Sequence, residues 1–263
     1  MRTKFVILGI VLTCNAIAIG IVVAATLWMG WVGLAGSVAG VLVLVTMYVR
    51  FVRPWHSHWG ATAEEISRPM PGDDIITGAA STTRAISIDM PPAQVWPWLV
   101  QIGYGRAGWY SYDWIDNDGR RSSTRIVPEL QDLRPGDRID MMPGWGPKVV
   151  EVSDNSYFVA GDGEGGTWCL ALFPDGNGCR LLSRWRQNWK RNNLRSWFFI
   201  TFADPGAFIM EQKMLRGIKR RAEFAPTIPT NANIDPPKRR WSRWPIRGGA
   251  SKLSSRAAIE KGP

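Results

Sequence analysis

One uninterrupted apolar run constrains this chain more than any other feature. From Phe5 to Val49 there is no Asp, Glu, Lys or Arg. A helical span of a bilayer takes about 20 apolar residues, so the run accommodates two. Trp28-Met29-Gly30-Trp31 offers the break, paired indoles and a glycine being suited to an interfacial turn. The pattern predicts an antiparallel transmembrane hairpin over residues 1–53, with spans at Phe5–Leu27 and Val32–Val49. Arg2 and Lys4 precede it, and Arg50 and Arg53 follow. Cationic flanks are retained on the cytoplasmic side. The expectation is therefore a cytoplasmic (inner) membrane protein with two spans and both termini in the cytoplasm. A cleaved secretory signal ending near Val23-Ala24-Ala25 fits less well, because a second apolar segment follows directly. Gly33, Gly36 and Gly40 allow close helix approach within the hairpin or between copies, so the oligomeric state stays open.

The remainder reads as a folded domain with an arm and a tail. Residues 54–81 are polar and carry Pro69, Pro71 and Gly72, a linker or wrapping arm. Thr82–Met90 alternates apolar and polar residues, which predicts a half-buried strand. Pro91-Pro92 opens a helix through Ile102, with Val95, Leu99 and Ile102 inward and Trp96 and Trp98 flanking. Further strands are expected at Arg138–Met142, Lys148–Val152, Tyr157–Ala160, Thr167–Phe173 and Arg180–Trp189. Pro174-Asp175-Gly176-Asn177-Gly178 is a hairpin signal between the last two. Asp204-Pro205 caps a helix running to Phe224. The expected class is α+β: a curved antiparallel sheet with a long C-terminal helix across one face, spanning 82–224. Residues 225–263 are basic and Pro-rich, with too little apolar content to build a core.

"TTRAISIDMPPAQVWPWLVQIG", "GWYSYDWIDN", "RIVPELQDLRPGDRI" and "MEQKMLRGIKRRAE" together resemble the SRPBCC superfamily. That superfamily includes START lipid-transfer domains and polyketide cyclase/dehydrase-like proteins. The resemblance implies a helix-grip fold, with a sheet wrapped around the C-terminal helix and a cavity for an apolar ligand. It carries over no catalytic residue, and fold alone does not give function.

The chemistry-bearing residues narrow the choice. The chain holds 15 Trp, and large rings with one polar tip suit the wall of an apolar cavity. Trp98, Trp109, Tyr110, Tyr112, Trp114, Trp168 and Trp185 are the candidate ligand-binding residues. In "GWYSYDW" strict alternation would put Tyr110, Tyr112 and Trp114 on one side and Trp109, Ser111 and Asp113 on the other. Asp113, with Tyr110 and Tyr112, is the candidate for acid–base catalysis, since a carboxylate walled by rings has its pKa raised. Asp116, in Asp-Asn-Asp-Gly, reads as part of a turn. His56 and His58 are the two histidines and lie beside the apolar run. That disfavours a metal site and Ser-His or Cys-His catalysis in the domain. Gly161-Asp-Gly-Glu-Gly-Gly166 matches a dinucleotide motif literally, but a strand follows it where a helix is required. No cofactor is expected. Cys169 and Cys179 flank a turn asymmetrically and read as buried thiols.

The net charge of +10 is concentrated in the tail, where Lys238, Arg239, Arg240 and Arg243 interleave with Trp241 and Trp244. Such a segment tethered to a membrane meets anionic headgroups first. Nucleic acid ranks below that. The function expected is a membrane-anchored cytoplasmic domain binding a hydrophobic small molecule or lipid. A polyketide cyclase-type enzyme using Asp113 and the tyrosines is the first alternative. An interaction module with a filled cavity is the second.

Overall fold

The structure, a computed structural model, describes residues 2–76, 79–161, 165–188 and 203–224. The basic tail, with Lys238, Arg239, Arg240 and Arg243, lies outside the described residues, as does Trp189.

The apolar run is helical, as α1, Arg2–Met47, broken at Gly30 (φ 61°, ψ −142°). That backbone conformation is open to glycine at little cost. The chain continues through a π-helical turn at Tyr48–Val52 into α2, Arg53–Ser57. Among the described residues one helical run, Ala16–Ser57, is long and apolar enough to cross a membrane. Its large side chains, including Leu27, Trp28, Trp31, Leu42 and Leu44, are exposed.

The α+β domain follows. Five strands, β1 (Ala80–Ile88), β2 (Lys148–Ser153), β3 (Tyr157–Gly161), β4 (Gly166–Asp175) and β5 (Gly178–Gln187), form one antiparallel sheet in the order β1-β5-β4-β3-β2. β4 and β5 meet at the hairpin read from the sequence, with Gly176 at φ 56°. The expected strand at Arg138–Met142 does not form. The segment makes only isolated bridges, Arg138 to Lys148 and Met142 to Trp145. Pro143 and Pro147 lack the N–H groups a ladder needs, and the chain turns at Gly144 (φ 71°).

One face of the sheet carries Ile86, Ile88, Phe158, Trp168, Leu170, Leu172 and Leu181 towards two helices. These are α4 (Pro92–Val100), covering it with Val95, Trp98 and Leu99, and α6 (Asp204–Phe224), covering it with Met214, Leu215 and Ile218. The opposite face also has a core, unlike the half-buried sheet expected. Ala85, Val159, Cys169, Ala171 and Leu182 pack there with Met70. The segment after α2 supplies this cover. It includes α3 (Ala63–Ser67), opened by a reciprocal Thr62–Glu65 capping box. Two arginines of β5 hold it down. Arg184 donates to the carbonyls of Glu65, Ile66 and Arg68 and to Asp73, while Arg180 binds Glu65 and the Gly60 carbonyl. β5 therefore presents Leu182 between two arginines to the arm, and Leu181, Ser183 and Trp185 to α6.

A polar seam crosses the apolar side. Arg84 of β1, 2% exposed, pairs with Glu211 of α6 and donates to the His56 carbonyl at 2.9 Å. Asp204, at the N-terminus of α6, lies 3.7 Å from Arg84 and 3.2 Å from Arg53. A carboxylate there also suits the helix dipole. His56 is buried, receives the Tyr48 hydroxyl contact at Nε2 (2.7 Å) and stacks on Phe208 of α6 at 5.1 Å between centroids. The sequence put both histidines beside the membrane and none in the domain. His56 instead docks the end of the apolar run onto α6.

Candidate functional site

The loop between α4 and α5 (Asp113–Asp116) is pinned before it reaches any cavity. Tyr110 adopts φ 56°, rare for a residue with a side chain, and its carbonyl packs on Gly217 of α6. An added Cβ on Gly217 would lie 2.3 Å from that oxygen, so only glycine permits the approach. The Tyr110 hydroxyl accepts from Gln101 Nε2 at 2.7 Å, and Arg221 covers its ring at 4.2 Å. Burial pushes the phenol further above its ordinary range. This is a structural tyrosine.

The left-handed residue and the short helix after it remove the alternation expected of "GWYSYDW". Trp109 and Tyr110 are both buried, on successive positions. Tyr112 precedes α5, with Lys213 3.7 Å above its ring centroid. Trp114 is 57% exposed. Asp113 accepts from the backbone N–H and hydroxyl of Ser122, and so ties the loop together. The helical turn then carries Asp116 inward, to 3% exposure.

Between sheet and α6 lies a cavity of about 200 Å³. Trp109, Trp168 and Trp185 form its aromatic wall, with Met141, Met210 and Met214 beside them. Trp168 and Trp185 stack at 4.9 Å with planes 9° apart, and Trp109 tilts against Trp168 at 5.9 Å. The indole N–H of Trp168 donates to Ser183 Oγ (2.9 Å), which donates to Glu211. The polar seam thus fixes the ring and satisfies its single polar atom. Ser111, Ala207, Glu211 and Asp116 complete the lining.

Asp116 is the chemically exceptional member. Neither of its carboxylate oxygens meets a hydrogen-bond donor at bonding geometry. Burial, then the charge of Asp113, push its pKa up to about 6, against weaker opposing pulls from Ser111 and nearby amides. A carboxyl that titrates near neutrality in an apolar cavity can hold or release a proton, or accept a donor from a ligand.

Of the seven ring positions expected to bind a ligand, Trp109, Trp168 and Trp185 line this cavity. Trp98 and Tyr110 belong to the packed core, edge to face at 6.1 Å. Tyr112 and Trp114 lie outside the lining, as does Asp113. The turn read at Asp-Asn-Asp-Gly forms directly after Asp116, with the Arg120 N–H on the Asn117 carbonyl at 2.9 Å. Turn spelling carries no signal for the burial of Asp116. Among the described residues no cluster of His, Cys, Asp or Glu could hold a metal ion. Cys169 and Cys179 are free and buried, with burial raising both thiol pKa values.

No family model matches the chain, and no curated protein matches it. Solved structures similar to it include the KanY protein, at 15% identity and a TM-score of 0.36, covering 56% of this chain and 99% of that one. Protein MLL2253 from Mesorhizobium loti is similar at 12% identity and a TM-score of 0.34, covering 56% of this chain and all of that one. CalU16 from Micromonospora echinospora is similar at 15% identity and a TM-score of 0.29, covering 55% of this chain and 85% of that one.

Proposed function

We propose that this protein is a membrane-anchored domain that binds a small hydrophobic molecule in the tryptophan cavity between sheet and α6. The cavity wall of Trp109, Trp168 and Trp185, with one unsatisfied carboxyl, carries the reading. Its volume sets the ligand size. Drug-sized ligands occupy pockets of roughly 300–1,000 Å³, whereas a cavity of about 150 Å³ takes benzene. At about 200 Å³ the space suits one or two rings and is too small for a diacyl lipid. The methionines can adjust that volume modestly. The helix-grip architecture of the SRPBCC superfamily fits the sheet and long C-terminal helix, and is part of this reading. An acid–base enzyme is the second reading. The raised pKa of Asp116 favours it, and assigns the proton-moving role to Asp116 in place of Asp113.

The anchor is read as two antiparallel spans meeting near Gly30, with both ends of the hairpin cytoplasmic. A Cβ on Gly33 would sit 2.1 Å from the Ala25 carbonyl. Along a straight helix those residues would be about 12 Å apart, so the close approach supports a chain that doubles back. The cavity would then face the membrane side. Ala207 and Met210 lie on the first turns of α6, whose Asp204 pairs with Arg53 at the end of the apolar run. Single cysteines at Trp28 and at Asp154, exposed in the β2–β3 turn, in an otherwise cysteine-free chain, test the topology. An impermeant maleimide should label position 28 in intact cells and position 154 only after permeabilisation. Equal labelling of both in intact cells sinks the two-span reading.

Native mass spectrometry of the full chain in mild detergent tests the cavity. A retained molecule of one or two rings is expected, and Ala207→Trp at the lining should reduce its occupancy. An apo mass, with no tryptophan quenching by a panel of one- and two-ring compounds, sinks the binding reading.

A further inference from the structure

We propose that the ligand of this cavity is a small protonated amine, its apolar body against Trp109, Trp168 and Trp185 and its ammonium on Asp116. The inference rests on the cavity reading above and names the ligand class. It begins from a missing partner. Asp116 is 3% exposed and lines the cavity, and among the described residues no donor meets its oxygens at bonding geometry. The nearby Ser111 hydroxyl is given to the Met210 carbonyl at 2.9 Å, and the neighbouring amides pull on Asp116 only weakly. Elsewhere in the domain the buried carboxylates are matched. Glu65 holds Arg180, Asp204 holds Arg53, and Glu211 holds Arg84 and Ser183.

Among the described residues no lysine or arginine lines the cavity. The charge acting on Asp116 from its own helix is Asp113, of the same sign. From α6 the facing acid is Glu211, already paired with Arg84. The cations around the loop are committed elsewhere: Lys213 to the Tyr112 ring, Arg221 to the Ser123 carbonyl and the Tyr110 ring, Arg106 to the Val100 carbonyl. A neutral hydroxyl would supply a donor without balancing the charge, and an anionic ligand would add a third like charge. An ammonium supplies both the donor and the opposite charge. Indole faces add cation–π attraction, strongest for tryptophan. Hydrophobic wall, acidic tip and modest volume together describe a receptor for an aryl- or alkylamine of one or two rings.

The test is a matched pair, 2-phenylethylamine and 2-phenylethanol, titrated against tryptophan fluorescence of the full chain in detergent at pH 7.5. The two differ only in ammonium against hydroxyl. Wild type should bind the amine about tenfold more tightly than the alcohol. Asp116→Asn should erase that preference while holding the alcohol's affinity within about threefold, a neutral amide being nearly isosteric. Equal or tighter alcohol binding in wild type overturns the proposal, and so does an amine preference that survives in a folded Asp116→Asn. The wild-type comparison needs no variant and decides the question even where the substitution disturbs folding. Alcohol binding without charge preference overturns the amine assignment alone. Binding of neither compound, with no molecule retained in native mass spectrometry, overturns the cavity reading as well.

Discussion

Arg84→Ala is expected to destabilise the domain by about 3–5 kcal/mol, the usual effect of removing one partner from a buried ion pair. Arg84 reaches Glu211, Asp204 and the His56 carbonyl at 2% exposure, so its loss strands Glu211 and the carbonyl and leaves Asp204 to Arg53 alone. Glu211 would retain the Ser183 hydroxyl, too little to offset a buried charge. The effect should reach the cavity, because Ser183 also anchors the Trp168 indole. Denaturant unfolding of the full chain in detergent, followed by near-ultraviolet circular dichroism, reads both the stability and the packing of the tryptophans. Replacing the pair together, as Arg84→Met with Glu211→Met, should recover most of the loss, since apolar residues of similar volume need no partner. A cost under about 1 kcal/mol for Arg84→Ala would mean that water reaches the seam.

The second large effect has the opposite sign. Asp116→Asn should make the protein more stable at pH 8, by about 1–2 kcal/mol. The folded carboxyl titrates at about 6, against about 3.9 in an unfolded chain. Folding therefore disfavours the ionised form. The penalty is full above pH 6, shrinks as pH falls from 6 towards 4, and is gone below 4, where both states are protonated. Two pKa units correspond to about 3 kcal/mol, and the buried amide of asparagine takes back part of the gain. Thermal unfolding of both proteins at pH 8 and pH 4.5 checks the sign. The gap between their melting temperatures should narrow as pH drops. A wild type more stable than the variant at pH 8 would show that Asp116 has a donor in solution.

Much of the framework was legible in local spelling. Charge-free apolar residues from Phe5 to Val49 leave a helix in an apolar environment as the low-energy choice. Gly30 marks the break in α1 because it tolerates a positive φ there. Pro174-Asp-Gly-Asn-Gly178 specifies the β4–β5 turn for the same kind of reason. The apolar stripes of α4 and α6 follow the helical repeat, which is a property of neighbours in the chain. Proline was the signal underweighted at Arg138–Met142, where bonding rules out a full strand.

What only the tertiary structure decided is which polar group is buried. Asp113 and Asp116 stand three residues apart in one turn, yet one binds a serine at the loop edge and the other lines the cavity that three indoles wall. The difference arises from residues far along the chain, Trp168, Trp185 and Met210, which line the cavity that Asp116 also lines and Asp113 does not. For residues 54–81 the sequence left open a linker or a wrapping arm, and only the structure supplies the carbonyls of Gly60, Glu65 and Arg68 as partners of Arg180 and Arg184. Backbone preference acts over a few residues and is written in sequence. Desolvation is set by whatever packs on a side chain from elsewhere, so the chemistry of this site became visible only once the sheet and α6 had closed around it.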